Sequence, residues 1–91
     1  MEITFDPRKH ERNLRERKLG FDEAAKFDFL SASYFGEVRG GENRVVAVGY
    51  LGNRLHMLCF IPTIAGIRVI SFRKANEREA RKYGKAKTLD Q

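Results

Sequence analysis

Apolar runs separated by turn residues fill the middle of this chain, while its two ends are dense in charge. Residues 2–5, Glu-Ile-Thr-Phe, have the period of two that marks a short half-buried strand. Asp6-Pro7 follows, an N-cap with proline at the first helical position, where its missing N–H costs nothing. The helix it opens runs to Lys18 with Leu14 as its only large apolar residue, so it reaches a core through one narrow stripe and turns Lys9, Arg12 and Arg15 to solvent. Leu19-Gly20-Phe21 breaks it. Asp22 caps a second, short helix with Glu23 in its first turn, and Phe21, Ala24, Ala25 and Phe27 form its apolar face.

Residues 29–43 carry a faint strand pattern from Leu30 to Val38, interrupted by a Gly40-Gly41 loop. From Arg44 the apolar runs and the turns between them predict three antiparallel strands. Gly52-Asn53 between two apolar runs is the chemistry of a two-residue hairpin, and pairing Leu51 with Arg54 sets Gly49 opposite His56, Ala47 opposite Leu58 and Val45 opposite Phe60. The other face then holds Val46, Val48, Tyr50, Leu55, Met57 and Cys59, all apolar, and is the expected seat of the helices. The face with Gly49 and His56 is expected to be open. A turn at Pro62–Ala65 leads into the last strand, Gly66–Phe72. Pairing Ile61 with Gly66 puts Ile70 and Phe72 under the helices, Ile67, Val69, Ser71 and Arg73 beside His56, and Arg68 toward the helices. A final helix, Ala75–Tyr83, makes inward contacts through Ala80 and Tyr83, and residues 84–91 read as a frayed tail. The expected fold is therefore α+β: a small antiparallel sheet with two N-terminal helices packed on one face and a short C-terminal helix, in a single domain over 1–91.

Charge adds a direction to this outline. The net charge is +6. Residues 8–18 hold six Lys/Arg against two Glu and residues 73–87 hold seven against two, whereas 19–72 balances five against five. Two basic blocks flanking a neutral middle form a polyanion surface if the fold brings them together. Two solvated helix faces are the plainer alternative. No apolar run is long enough to span a membrane, and the acidic start Met1–Asp6 does not read as a signal peptide, which makes the cytoplasm the expected compartment. Cys59, the only cysteine, lies within an apolar run and reads as a buried small hydrophobe.

Candidate chemistry narrows by elimination. Two distant histidines, one cysteine and no His-x-x-x-His or Cys-x-x-Cys spacing argue against a metal site. Gly36, Gly40 and Gly41 make no phosphate-cradling loop, and no nucleophile elbow supports a triad from Ser71 and His56. No cofactor is expected. Cations, aromatics and carboxylates remain, and they suit metal-free phosphodiester cleavage in which an RNA 2′-hydroxyl attacks its own phosphate. That reaction needs a proton acceptor, a proton donor and fixed positive charge.

The residues themselves resemble a known family, the BrnT toxins of bacterial type II toxin–antitoxin pairs, which are similar in fold to RelE-like ribonucleases. The resemblance runs to about Tyr83. It rests on Phe5-Asp6, Lys9, Asn13, Arg17, Phe21 and Glu23-Ala24, then on Arg68-x-Ile70-Ser71-x-Arg73-x-Ala75 with Glu79 and Tyr83. Phe5 stands where many members have Trp, and Lys18 where a Gly commonly ends the first helix. The resemblance implies a RelE-like fold and an endoribonuclease that blocks translation, with mRNA, on or off the ribosome, as substrate. It further implies neutralisation by a small DNA-binding antitoxin, BrnA, in a complex expected to be a heterotetramer built on an antitoxin dimer. Operator DNA would be reached only through the antitoxin. Exposed apolar residues such as Phe60 and Val45 are the expected antitoxin seat.

Site roles follow from both lines. Arg73 is the candidate for gripping the scissile phosphate, or else a structural partner of Glu77 or Glu79. His56 is a candidate acid or base, with an ordinary pKa near 6.5, or a strand histidine with no task. Glu79 is a general base or, preferably, an ion-pair partner. Tyr83, carried over from the family pattern, stacks on a base or packs the helix on the sheet. Lys9, Arg12, Arg68, Lys74, Arg78, Arg81 and Lys82 are the candidate RNA contacts. The competing class is a non-catalytic basic module that binds RNA or an acidic protein.

Overall fold

The computed structural model describes residues 1–90. Five strands form one mixed sheet in the order β1-β5-β4-β3-β2, comprising β1 (Glu2–Phe5), β2 (Ser33–Arg39), β3 (Glu42–Leu51), β4 (Arg54–Pro62) and β5 (Gly66–Lys74). Around it lie α1 (Pro7–Arg17), a 3-10 helix (Phe21–Lys26) and α2 (Glu77–Lys82).

The expected hairpin forms with its expected register, Leu51 opposite Arg54 and Val45 opposite Phe60, and Gly52 supplies the positive φ of 63° at its turn. The sheet is not wholly antiparallel, however. β1 runs parallel to β5, with Glu2 beside Gly66 and Phe5 beside Val69, so the first strand closes on the last. The approach is close: a Cβ on Gly66 would lie 2.0 Å from the Glu2 carbonyl oxygen, which leaves glycine as the residue that fits. β2 is a full strand paired along its length with β3, and Gly40 and Gly41, both at positive φ, make the turn between them.

The two faces are assigned in reverse of the sequence expectation. Leu19, Phe21, Ala24 and Phe27 pack on Ala47, Leu58, Phe60, Ile67 and Val69, the face that was expected to be open, and on Phe72, which was expected under the helices. Gly49 explains the choice. A Cβ there would lie 2.8 Å from Phe27 Cζ and 2.9 Å from the Ala32 Cβ, so its missing side chain is the socket for Phe27. Phe60 and Val45 belong to this core and are not an exposed docking patch. On the opposite face Val46, Val48, Leu55, Met57 and Cys59 are covered at one end by Ala75 and Ala80, with Phe35, Tyr50, Ile70 and Tyr83 around them.

The β4–β5 register also differs, since Ile61 faces Arg68 and not Gly66, and a β-bulge in β5 follows. Phe60 faces Val69, but Cys59 faces Ser71, so Ile70 is the additional residue. Ile70 therefore joins the Val46 face while Phe72 joins the Phe27 face, where an unbroken strand would keep them together. Arg68 is exposed between the buried Ile67 and Val69 and points away from the N-terminal helices, not toward them.

The 3-10 helix, not a pair of α-helices, provides the N-terminal layer: α1 buries no residue, and Leu14 remains 45% exposed. Because β1 pairs only with Gly66–Val69, the outer edge of Ile70–Lys74 has no strand partner, and α1 stands beside it. Asn13 secures the position, its Nδ2 donating to the carbonyls of Leu19 and Phe72 at 2.9 Å each. Phe5 stacks on His10 with ring centroids 4.7 Å apart, tying the base of α1 to β1. Lys18 ends the helix in the left-handed region, φ 57°, which explains why glycine suits this position. The tail, expected to fray, is held instead: the Leu55 N–H donates to the Lys87 carbonyl, the Leu89 N–H to the Asn53 carbonyl and the Tyr50 hydroxyl to the Ala86 carbonyl.

Candidate nucleic-acid interface

The face that α2 leaves uncovered opens into a groove of about 730 Å³. Its floor is apolar and comes from the sheet, Val46, Met57, Cys59 and Ile70. Its walls are charged. From α1 come Lys9, Arg12, Asn13, Glu16 and Arg17, spaced so that they share one helical stripe. From β2 and β3 come Phe35, Glu37, Arg39 and Arg44, and at the far end stand Ser71, Arg73 and Glu79. The fold thus brings the first basic block of the sequence to one concavity with Arg73 of the second. Arg39 is paired with Glu37 at 2.9 Å and Arg44 with Glu42 at 3.0 Å, whereas Lys9, Arg12 and Arg17 have no ion-pair partner among the described residues.

Arg73 is the most constrained of these cations. Its Nη1 donates to Glu79 Oε1 at 2.9 Å and its Nη2 to Oε2 at 2.7 Å, a two-pronged pair that fixes the guanidinium plane. Glu79 is itself fixed, because Asn76 and Glu79 form a reciprocal capping box at the start of α2: the Asn76 side chain accepts from the Glu79 N–H at 2.8 Å, and Glu79 Oε1 accepts from the Asn76 N–H at 3.0 Å. The Arg73 guanidinium holds the Glu79 carboxyl at about 2, and Glu79 in turn raises the pKa of Arg73. A carboxylate so acidic and so engaged is a weak proton acceptor, and its geometry is that of an ion-pair partner.

The other sequence candidates separate. Lys9 and Arg12 line the groove with Arg73. Tyr83 ends α2 and stacks on Phe35, centroids 5.7 Å apart and planes 2° apart, so it packs the helix on the sheet, the preferred of its two readings. Arg78, Arg81 and Lys82 are exposed on α2, and Arg68 is exposed further along β5. His56 and Lys74 are not in the groove. They pair across β4 and β5 and line a smaller cleft on the opposite side. His56 is only 4% exposed beside Phe72, ring centroids 5.4 Å apart, and its Nδ1 bonds the Arg54 carbonyl at 2.8 Å. Burial lowers its pKa, as expected for a ring whose charged form would lose hydration. The sequence reading set it beside Arg73 because it assumed an unbulged β5. Cys59, on the groove floor, is buried with its thiol pKa pushed up by burial, in keeping with a packing role.

Asn13, Glu16, Arg17, Arg39 and Arg44 are groove residues that the sequence reading left out of the site. The signal for the first three was the 9-12-13-16-17 spacing on a helix with almost no apolar face. For Arg39 and Arg44 it was the alternation Phe35-Glu37-Arg39 answered by Glu42-Arg44-Val46 across a Gly-Gly turn. Among the described residues, no group of three or more His, Cys, Asp or Glu is placed to hold a metal ion, and no helix is long and apolar enough to cross a membrane.

Residues 5–79 match the family model of the ribonuclease toxin BrnT of type II toxin–antitoxin systems. The chain belongs to the BrnT family. Its fold is also similar to the crystal structure of the Brucella abortus ribonuclease toxin BrnT, at 28% identity and a TM-score of 0.66, over 85% of this chain and 99% of that one. No curated protein matches the sequence. The BrnT match spans α1, strands β2 to β5 and the start of α2, from Phe5 at the end of β1 to Glu79, and so contains every groove residue named above.

Proposed function

We propose that this BrnT-family protein is an endoribonuclease toxin that cleaves RNA in the α1–β5–α2 groove without a metal, the positive charge a metal would supply coming from Arg73, Lys9, Arg12 and Arg17. The observation that carries this reading is the clamped Arg73. A guanidinium held by Glu79 at 2.9 and 2.7 Å at the end of a basic groove is preorganised, so it can stabilise a phosphorane without reorganising as charge develops. Glu16, a groove carboxylate with no ion-pair partner among the described residues, takes the 2′-hydroxyl proton in this reading, and Lys9, whose ammonium gives up a proton more readily than a guanidinium, returns one to the leaving oxygen. His56, on the other side of the sheet, has no part in the reacting groups.

The same reading makes the protein the toxin of a cytoplasmic pair with a RelE-like fold, neutralised by a BrnA-like DNA-binding antitoxin whose dimer carries two toxins. RNA, free or on the ribosome, is the substrate, and operator DNA is approached only through the antitoxin.

The test is the purified chain, freed of any partner, incubated with single-stranded RNA in EDTA. Cleavage is expected, with 2′,3′-cyclic phosphate ends, and the same oligomer with 2′-O-methyl riboses is expected to stay intact. Bound but uncut RNA, with or without ribosomes, would favour the non-catalytic binding module and reject the enzyme.

A further inference from the structure

The cleft that holds His56 is separate from the groove, yet it shares a wall with it. Its volume is about 480 Å³, and Arg17 lines both concavities. The two meet where Arg17 stands beside the strand-free outer edge of Ile70–Lys74. Arg73 turns into the groove and the next residue, Lys74, into the cleft, so a polyanion leaving Arg73 meets Lys74 simply by crossing that edge.

The lining of the cleft has the character of a nucleotide site and not of a bare charge patch. Arg17, Lys18 and Lys74 face one carboxylate, Glu23, which Lys26 already engages at 3.6 Å. Leu19 and Leu51 supply apolar walls. At its base lies His56, whose protonation the backbone dictates: the Arg54 carbonyl can only accept, so Nδ1 carries the proton and Nε2 of the neutral ring is an acceptor. Nε2 has no partner among the described residues. No buried side-chain nitrogen or oxygen atom among them is left unbonded, so Nε2 is not sealed away and opens on the cleft that His56 lines.

We propose that this cleft is a second RNA subsite, in which Arg17, Lys18 and Lys74 hold a phosphate beyond the scissile one and a base enters between Leu19 and Leu51 to donate an exocyclic N–H to His56 Nε2. The proposal rests on the ribonuclease reading above. It gives His56 a role in recognition, away from the bond that breaks, and makes the edge of β5 the track along which the strand passes from one face of the sheet to the other.

The test is fluorescence anisotropy of a short cytidylate oligomer with 2′-O-methyl riboses, titrated with wild type, Lys74→Glu and His56→Phe. The same titrations use an oligomer of N4,N4-dimethylcytidine, which has lost its only base-edge donors. Lys74→Glu, a change at an exposed position, is expected to bind about tenfold more weakly. Dimethylation is expected to weaken wild type about tenfold and to leave folded His56→Phe unaffected. Full affinity in Lys74→Glu, no penalty for dimethylation in wild type, or an equal penalty in His56→Phe overturns the subsite. Cleavage of the ribose oligomer, run in parallel, separates the two ideas. Cutting that depends on Arg73 alongside any of those negative results rejects the subsite alone. Absence of cutting, or cutting that survives Arg73→Ala, rejects the ribonuclease reading beneath it.

Discussion

Arg73 and Glu79 meet through two hydrogen bonds, Nη1 to Oε1 and Nη2 to Oε2, and this pair joins the last strand to the last helix at the end of the groove. Glu79 is also the third residue of the α2 capping box, so one carboxylate starts the helix and aims the guanidinium. Glu79→Ala removes a charge-assisted pair and half of a cap, and is expected to destabilise the fold by about 1–3 kcal/mol. Urea denaturation measures this. RNA cleavage per folded molecule is also expected to fall, because Arg73 is then free to rotate.

The same carboxylate sets an acid limit. Its folded pKa of about 2 lies below the ordinary glutamate value of 4.5, so the stability it contributes is fully present above pH 4.5 and is lost as pH falls from there toward 2. Wild type is therefore expected to lose unfolding free energy over that window more steeply than Glu79→Gln, which has no such proton to take up. Parallel slopes for the two proteins between pH 4.5 and 2 would contradict the assignment.

His56 predicts a second pH effect at a higher range. Burial lowers its folded pKa below 6.5, so the unfolded chain takes up a proton that the folded chain refuses, and stability falls as pH drops below 6.5. In His56→Phe this component is expected to disappear. Thermal denaturation at several pH values between 7 and 5 reads it out.

Gly49 is the socket for Phe27. Gly49→Ala places a Cβ 2.8 Å from the Phe27 ring and 2.9 Å from Ala32, both on the packed side of the sheet, and is expected to cost about 1–3 kcal/mol. An unchanged melting temperature would mean that the 3-10 layer does not pack on this face as described.

Much of this architecture was legible from local chemistry, and the parts that were not depend on distant pairings. Asp6-Pro7 and Gly52-Asn53 announced a helix start and a hairpin through their own backbone preferences, and the β3–β4 register followed. Which face the helices cover was not legible, because both faces of the central strands are apolar and the deciding feature, the Gly49 socket, has meaning only once Phe27 lies across it. The bulge at Ile70 left no mark in the sequence either. It parts Phe72 from Ile70, which keeps its expected face, and turns Arg73 away from His56 to the side of Met57. The parallel pairing of β1 with β5 joins residues more than sixty positions apart and has no local signature. Charge clustering pointed to Arg73, Lys9 and Arg12, which line one groove, while the contacts of Glu79 with Arg73 and of Tyr83 with Phe35 come from the fold. His56 was placed with them by a register that the bulge overturns.

The free cations of α1 offer a graded test of where RNA lies. Lys9→Ala, Arg12→Ala and Arg17→Ala are each expected to weaken RNA binding and to lower the slope of log affinity against log salt by about one. Arg78→Ala and Arg81→Ala, on the exposed side of α2, are expected to change that slope little.

The groove account stands or falls on Arg73. Its most direct test is the single-turnover rate of RNA cleavage in EDTA for wild type, Arg73→Lys and Arg73→Ala, each confirmed as folded by circular dichroism. A preorganised, two-pronged guanidinium predicts a loss of roughly 100- to 1,000-fold in Arg73→Ala, with little recovery in Arg73→Lys because an ammonium cannot reproduce the planar fork. Cleavage within about twofold of wild type in folded Arg73→Ala would contradict the account.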